Sequence, residues 1–347
     1  MTTTTAVPAA DRDGRTPALP PATGPAVPPA EPTAPRPGRE VYRDALVELM
    51  RRDERVVCLD SDTGLFNGVE WGEEGSRYVN VGIAEQALMG VAAGLAKAGR
   101  IPYVNTMATF AATRALEAVK LDIALNNLPV RIVATHGGLS AGHLGATHHS
   151  LEDLGVMRML PNMTVITPAD GPSTSELLAQ AHALPGPVYV RLGRKATADL
   201  PPDVAPAVIG RAQRLREGPA ATLVAVGSLP VLTALDAADR LAQEGIEVTV
   251  LNMHTVKPLD TEALTTAARR PGGIVTVEEH WAAGGLASAV AESVCGLGRG
   301  CAVRPVAVGD HFAAGTGGHG HLLFRNGITS DAVVAHVRNA LHSPVPA

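Results

Sequence analysis

Short apolar runs rich in β-branched residues alternate with helix-period segments along most of this chain, and this alternation limits the fold more than any other feature. Residues 55–59 are predicted as a strand, and residues 85–98 as a helix whose apolar positions share one face. Further strands are predicted at residues 101–105, 130–135, 163–167 and 187–191. The pattern is typical of the α/β class, with mostly parallel sheets flanked by helices.

The same alternation resumes after a proline-containing interruption, so two consecutive α/β domains are predicted. Strands of the second unit are predicted at residues 222–226, 247–251, 273–277 and 303–308. We therefore expect one domain over residues 39–197, a linker over 198–213 and a second domain over 214–347. Residues 1–38 are rich in Pro, Ala and Thr and are predicted to form a disordered tail.

Charge and cysteine content exclude several classes of protein. The net charge is −5 with charged residues scattered, so neither nucleic acid nor an anionic membrane is an expected partner. The three cysteines include no Cys-x-x-Cys pair, which argues against a disulfide framework or a thiolate zinc site. No apolar run is long enough to span a bilayer. A reducing cytoplasm is the expected location.

Glu85 stands at a predicted strand-to-helix corner, directly before the apolar helix face that begins with Leu88 and Met89. A negative charge at a helix N-terminus is stabilised by the helix dipole, and position alone favours that structural role. A role in chemistry requires further evidence.

Residues 134–149 contain four histidines and many glycines directly behind a predicted strand. Loops at strand ends are where α/β sheets bind ligands. Substrate hydrogen bonding is the preferred interpretation, metal binding is the minority one, and loop capping stays open for His143 and His149. Arg191 and Arg194 end another strand and present guanidinium groups suited to a phosphate or carboxylate, although solvated surface charge is the common explanation.

Residues 315–320 match the dinucleotide spacing G-x-G-x-x-G. That motif requires a strand directly before it and a helix that opens at its end, whereas this copy lies within a glycine-rich stretch. A mobile surface loop is the preferred interpretation.

Taken together, several motifs resemble the C-terminal section of transketolases in order and spacing. In the first unit they are VGIAEQ at 81–86, TH at 135–136, GATH at 145–148, LPNMTVITPAD at 160–170 and YVRLGR at 189–194. In the second unit they are LNMHTVKPLD at 251–260, VEEHW at 277–281 and GGL at 284–286. The resemblance extends from about residue 39 to the end of the chain.

The resemblance implies a thiamine-diphosphate enzyme divided between two chains. Such enzymes hold the diphosphate, through a divalent metal ion and a Gly-Asp-Gly motif, on one domain and the aminopyrimidine on another. This sequence contains no Gly-Asp-Gly. A partner subunit is therefore expected to hold the diphosphate with Mg²⁺ or Ca²⁺, in an α2β2 heterotetramer. The implied reaction moves a two-carbon ketol unit from a ketose, such as a sugar phosphate, to an aldehyde.

Specific residues follow from the same resemblance. Glu85 matches the glutamate that hydrogen-bonds the pyrimidine ring nitrogen, and it is expected to be catalytic together with His148. The remaining expected contacts are Asp62, Met107 and Phe110 to the cofactor, and His136, His148 and Arg194 to the substrate. No metal ligand is expected on this chain.

Two departures from the family pattern bear on specificity. Met107 stands where the family usually has the phenylalanine that stacks on the pyrimidine, and Leu144 replaces an aspartate that hydrogen-bonds a donor hydroxyl. A pocket without that acceptor discriminates less for the hydroxylated sugar, so an atypical substrate of specialised metabolism is expected.

Two alternatives stay open at this point. The β component of a 2-oxo acid dehydrogenase shares the two-domain layout and the glutamate. A non-catalytic scaffold or regulatory homologue would account for Met107 and Leu144, although retention of Glu85 argues against it.

Overall fold

The computed structural model describes residues 34–297 and 300–342. The predicted disordered tail lies outside the described residues up to residue 33. None of the helices within the described ranges combines the length and apolar character needed to cross a bilayer.

The first half of the described chain alternates strands and helices. Its strands are β1 (Val56–Asp60), β2 (Tyr78–Asn80), β3 (Ile101–Met107), β4 (Arg131–Thr135), β5 (Thr164–Ile166) and β6 (Val188–Arg191). Its helices are α1 (Gly38–Arg52), α2 (Glu85–Lys97), α3 (Ala108–Ala112), α4 (Leu116–Ala118), α5 (Asp153–Met159) and α6 (Gly171–Ala183). Two 3₁₀ turns, Gly72–Arg77 and Gly142–Leu144, and a π-helical segment, Val119–Ala124, complete it.

The second half repeats this organisation. Its strands are β7 (Gln213–Pro219), β8 (Thr222–Val226), β9 (Val248–Asn252), β10 (Thr255–Lys257), β11 (Ile274–Trp281) and β12 (Val303–Val308). Its helices are α7 (Ser228–Gln243), α8 (Thr261–Ala267), α9 (Leu286–Cys295), α10 (His319–Arg325) and α11 (Ser330–His342).

Each half contains one mostly parallel sheet. The first is seven-stranded, in the order β10-β5-β6-β4-β3-β1-β2, and the second is five-stranded, in the order β12-β11-β8-β9-β7. Every residue of β1, β4, β8 and β9 is buried, as expected for central strands covered on both faces. The predicted α/β class is thereby confirmed.

The two halves are joined by more than the chain connection. Strand β10 belongs by sequence to the second half, yet it pairs antiparallel with β5 at the edge of the first sheet. The connecting residues are also fixed to α6: the Ala207 amide donates to Glu176 Oε2 at 2.6 Å, and the Ile209 amide donates to Gln180 Oε1 at 3.0 Å. Ala207 and Ile209 are buried, so the proline-containing segment packs along the first half.

The predicted strands correspond to β1, β3 to β6, β8, β9, β11 and β12, and the helix predicted at residues 85–98 corresponds to α2. The strand implied before the Glu85 corner corresponds to β2, whereas sequence reasoning missed β7 and β10. Strand β10 is three residues long, and β7 contains three charged residues and ends in Gly and Pro. Both lie at sheet edges, where fewer apolar positions are required.

Candidate active site

The residues predicted to bind cofactor and substrate gather at one edge of the first sheet. Asp62 follows β1, Met107 ends β3, His136 follows β4 and Arg194 follows β6. These four strands are parallel and adjacent, so their carboxyl ends meet at the same edge. Ligands of open α/β sheets bind at this edge.

Glu85 is the first residue of α2, and its side chain is only 2% exposed. Arg114 Nη1 donates to Glu85 Oε2 at 2.8 Å, although the Arg114 side chain is itself 48% exposed. The carboxyl group borders a cavity of about 690 Å³ that Arg114 and Leu121 also line. A buried carboxyl group is thus presented to an open space from the start of a helix.

Arg114 also links Glu85 to the aromatic part of the site. Its guanidinium carbon lies 4.4 Å from the centre of the Phe110 ring. Phe110 in turn meets the His148 ring edge to face, with centroids 5.4 Å apart. The structure therefore brings together Glu85, Phe110 and His148, which the family resemblance named as site residues. Arg114 was missed, because it reaches the carboxyl group of a residue 29 positions away and no local pattern indicates that contact.

His136 belongs to the histidine loop, defined here as residues 136–149. Its ring is 5% exposed, and Nδ1 lies 2.9 Å from Thr135 Oγ1. Burial lowers the pKa of His136 to about 4, and the charges of Arg39 and Arg194 contribute in the same direction. The ring is therefore neutral at pH 7 and suited to hydrogen bonding with an uncharged group.

Positive charge in this region comes from two arginines. Arg194 Nη1 lies 3.0 Å from His143 Nδ1. Arg39, near the start of α1, has its pKa lowered by burial and by the charge of Arg194. Its buried Nε has no hydrogen-bond partner within the described part of the chain. Two neighbouring guanidinium groups suit an anion, and sequence reasoning identified only Arg194.

The other predicted residues lie further out on the same edge. Asp62 is exposed with φ +60°, and its Oδ1 accepts from Asn80 Nδ2 at 3.1 Å. Met107 is half-buried at the N-cap of α3 and pairs in register with Thr135. Leu144 is 37% exposed in the 3₁₀ turn of the histidine loop and offers no hydrogen-bonding side chain.

Metal and dinucleotide binding receive no structural support. Across residues 34–297 and 300–342, no group of three His, Cys, Asp or Glu side chains is arranged to hold a metal ion. Residues 315–320 do not follow a strand directly, because β12 ends at Val308. Instead the Gly317 amide donates to the Gly142 carbonyl at 3.2 Å, so this segment packs on the histidine loop.

The fold and this edge define a two-domain α/β protein with a buried glutamate at a helix start. Comparison with known families specifies the class. Residues 36–199 match the transketolase pyrimidine-binding domain, and residues 210–321 match the transketolase C-terminal domain.

Individual relatives agree with the family match. The chain is 39% identical over 300 residues to the 6-deoxy-6-sulfo-D-fructose transketolase subunit SqwH of Clostridium sp. (strain MSTE9), covering 85% of this chain and 92% of that protein. It is 39% identical over 259 residues to an apulose-4-phosphate transketolase subunit of Phocaeicola vulgatus, covering 74% and 83% respectively. A solved split gene transketolase, an inactive β4 tetramer, is 41% identical with a TM-score of 0.80, covering 90% of this chain and 100% of that chain.

This chain belongs to the transketolase family and corresponds to the C-terminal subunit of a split transketolase. The resemblance inferred from the motifs is thereby confirmed. The family is one of thiamine-diphosphate-dependent transferases, which implies that cofactor for this chain.

Proposed function

We propose that this chain holds the aminopyrimidine half of thiamine diphosphate and, with a partner subunit, transfers a two-carbon ketol unit from an anionic ketose to an aldehyde. The observation that carries the proposal is the buried Glu85 carboxyl group, presented to a cavity at the start of α2 and connected through Arg114 to Phe110. Bound thiamine diphosphate supplies the carbanion chemistry of this transfer.

The residues present fit the pyrimidine half of that cofactor. A carboxyl group suits the ring nitrogen of an aminopyrimidine, and the Phe110 ring and the Met107 thioether suit its faces. Asp62, on the same edge of the sheet, completes the proposed cofactor set. We assign to Glu85 the role of holding a proton at the pyrimidine ring nitrogen. The ion pair between Glu85 and Arg114 is the contact that the bound cofactor would replace or rearrange.

The diphosphate and its divalent metal ion are assigned to the partner subunit. Apolar side chains remain exposed on the elements beside Glu85: Ile83 and Leu125 are each 73% exposed and Leu121 is 43% exposed. Exposed apolar groups around half of a binding site favour coverage by another chain. An α2β2 assembly is the arrangement we propose, and a relative solved as an inactive β4 tetramer supports contact between β chains.

The substrate is proposed to be a ketose with an anionic end. Arg39 and Arg194 provide two adjacent positive charges, and the neutral ring of His136 suits a sugar hydroxyl. His148 is assigned to the reacting end of the sugar because it contacts Phe110. The two relatives are named for a sulfonated and a phosphorylated sugar, and both groups are anionic.

Leu144 bears on the kind of donor sugar that we propose. An aliphatic side chain in the histidine loop cannot accept a hydrogen bond from a donor hydroxyl, so a less hydroxylated or differently configured donor is favoured. The division into a pyrimidine-binding domain at 39–197, a linker at 198–213 and a C-terminal domain at 214–347 is part of this proposal.

The test is a calorimetric titration of thiamine diphosphate with Mg²⁺ into this chain, alone and after mixing with a candidate diphosphate-binding subunit. Binding only in the mixture would support a shared site, whereas tight binding to the isolated chain would refute it. The mixture is then assayed with ketose phosphates and sulfonates plus an aldehyde. Decarboxylation of a 2-oxo acid without an aldehyde would favour the dehydrogenase alternative.

Glu85→Gln is the matched variant for this assay, because it preserves shape and removes the acid. We expect turnover to fall by about 100-fold or more, as is typical when a general acid or base is lost. Circular dichroism of the variant controls for folding. Unchanged turnover would refute the role of Glu85.

A further inference from the structure

The histidine loop is closed at its base by a short bridge and fixed there by the second half of the chain. Gly138 and Ser150 exchange backbone hydrogen bonds of 3.0 and 2.9 Å, which close the loop. The Leu139 amide then donates to Oε2 of Glu279, a buried side chain on β11, at 3.0 Å. Gly138 has φ +63°, and a Cβ atom there would collide with the Glu279 carboxylate, so only glycine allows this approach.

The same carboxylate also contacts α10, next to the segment that packs on the histidine loop. Glu279 Oε2 lies 2.7 Å from Nε2 of His319, the first residue of α10. Gly317, two residues earlier, donates its amide to the Gly142 carbonyl near the tip of the loop. A Cβ atom on Gly142 would collide with the Gly317 carbonyl oxygen, so the two backbones are in direct contact. One carboxylate therefore joins the base of the histidine loop to the segment that contacts its tip.

Arg191 adds two hydrogen bonds at the base of the histidine loop. Its Nη2 donates to the Ser150 carbonyl at 2.9 Å and to the Glu279 carbonyl at 2.7 Å. Strand β6 of the first sheet and strand β11 of the second thus meet at the residue that closes the loop. None of these contacts lies within the candidate site, yet they fix the segment that carries His136, His143 and His148.

We propose that Glu279 and His319 are positioning residues that hold the histidine loop in the geometry needed for sugar recognition. They touch neither the cavity beside Glu85 nor its aromatic neighbour, so they act on substrate binding through the loop. The kinetic part of this inference rests on the proposed function, and the structural part does not.

The structural part is tested by hydrogen–deuterium exchange of peptides spanning residues 136–150 in the isolated full chain. Glu279→Ala should raise exchange in these peptides by about tenfold or more, since a hydrogen bond to a charged acceptor is lost. Glu279→Gln keeps an acceptor for the Leu139 amide and should raise it less. His319→Gln removes one hydrogen-bond partner of the Glu279 carboxylate. It should raise exchange of the loop peptides by an amount between those of Glu279→Gln and Glu279→Ala, and the core should stay folded.

Glu278 provides the matched control. It is the preceding residue on β11 and is fully buried, but its carboxylate accepts from the Leu286 and Ala287 amides at the start of α9. Glu278→Ala should raise exchange at α9 and leave the histidine loop protected. Equal exchange of the loop in the Glu278 and Glu279 variants would overturn the inference.

The kinetic part uses the mixture of this chain with its diphosphate-binding subunit, thiamine diphosphate and Mg²⁺. Glu279→Ala should raise KM for the ketose by about tenfold while the affinity for thiamine diphosphate stays within about twofold of the parent, because Glu85 is not on the loop. Loss of cofactor affinity with an unchanged KM would overturn the inference. A parent mixture that turns over no ketose would refute the proposed function, and the exchange experiment would still decide the positioning role.

Discussion

Acid should destabilise the isolated chain through His136, and the structure gives the size of the effect. The ring is buried, and its pKa in the folded chain is about 4, against an ordinary value of 6.5. As the pH falls below about 6.5, the unfolded chain takes up a proton that the folded chain rejects. The stability associated with a neutral His136 is therefore complete above that pH and is lost progressively down to about pH 4.

The difference between the two pKa values of His136 corresponds to roughly 3 kcal/mol in the free energy of unfolding. About 2 kcal/mol of this stability is lost between pH 7 and pH 5. Urea unfolding followed by circular dichroism at these two pH values measures it. The parent chain should lose about 2 kcal/mol more than His136→Asn over this interval. Arg194→Gln should remove a smaller part of the dependence, because burial is the larger cause of the shift.

His254 offers an independent comparison. It is fully buried between β9 and β10, and burial lowers its pKa to about 4 as well. His254→Asn should therefore remove a similar part of the acid dependence, and the two effects should add because the sites are separate. If parent and His136→Asn show the same pH dependence, His136 is not held neutral in the fold, and its assignment to a sugar hydroxyl fails with it.

Two further predictions concern stability. Asp153→Asn should destabilise the chain by about 3 kcal/mol in urea unfolding, because Asp153 Oδ2 lies 3.0 Å from Arg191 Nε and both side chains are buried; a loss below about 1 kcal/mol would contradict this. Gly142→Ala should cost about 1–3 kcal/mol, since the added methyl group collides with the Gly317 carbonyl. Gly320→Ala meets no atom within 4 Å and should leave the melting temperature unchanged or slightly raised.

The central strands could be predicted from sequence because each is a short, continuous apolar run, and such a run indicates burial on both faces of a sheet. Strands β7 and β10 could not, because their place is set by pairing with distant residues. Strand β10 is the clearest case: it pairs with β5 about 90 residues earlier in the chain, across the boundary between the two sheets.

The candidate site divides in the same way. Residues at strand ends, such as His136 and Arg194, follow from the rule that parallel strands present their carboxyl ends together, whereas Asp62 followed from the family resemblance. Arg114 and Glu279 act only through contacts made by folding: Arg114 reaches a carboxylate 29 residues away, and Glu279 reaches an amide 140 residues away. No local pattern records such pairs, so the sequence identified the histidines of the loop but not the residues that hold them.

Through these long-range contacts the second half of the chain supports the candidate site, although the predicted site residues lie in the first half. Strand β10 completes the first sheet beside β5, and Arg191 at the end of β6 bonds to the backbone of Glu279 on β11. The histidine loop lies against this junction, so its conformation depends on both halves at once. A loop rich in glycine has many accessible conformations, and fixing it requires contacts on more than one side. The C-terminal half supplies those contacts at Leu139 and Gly142.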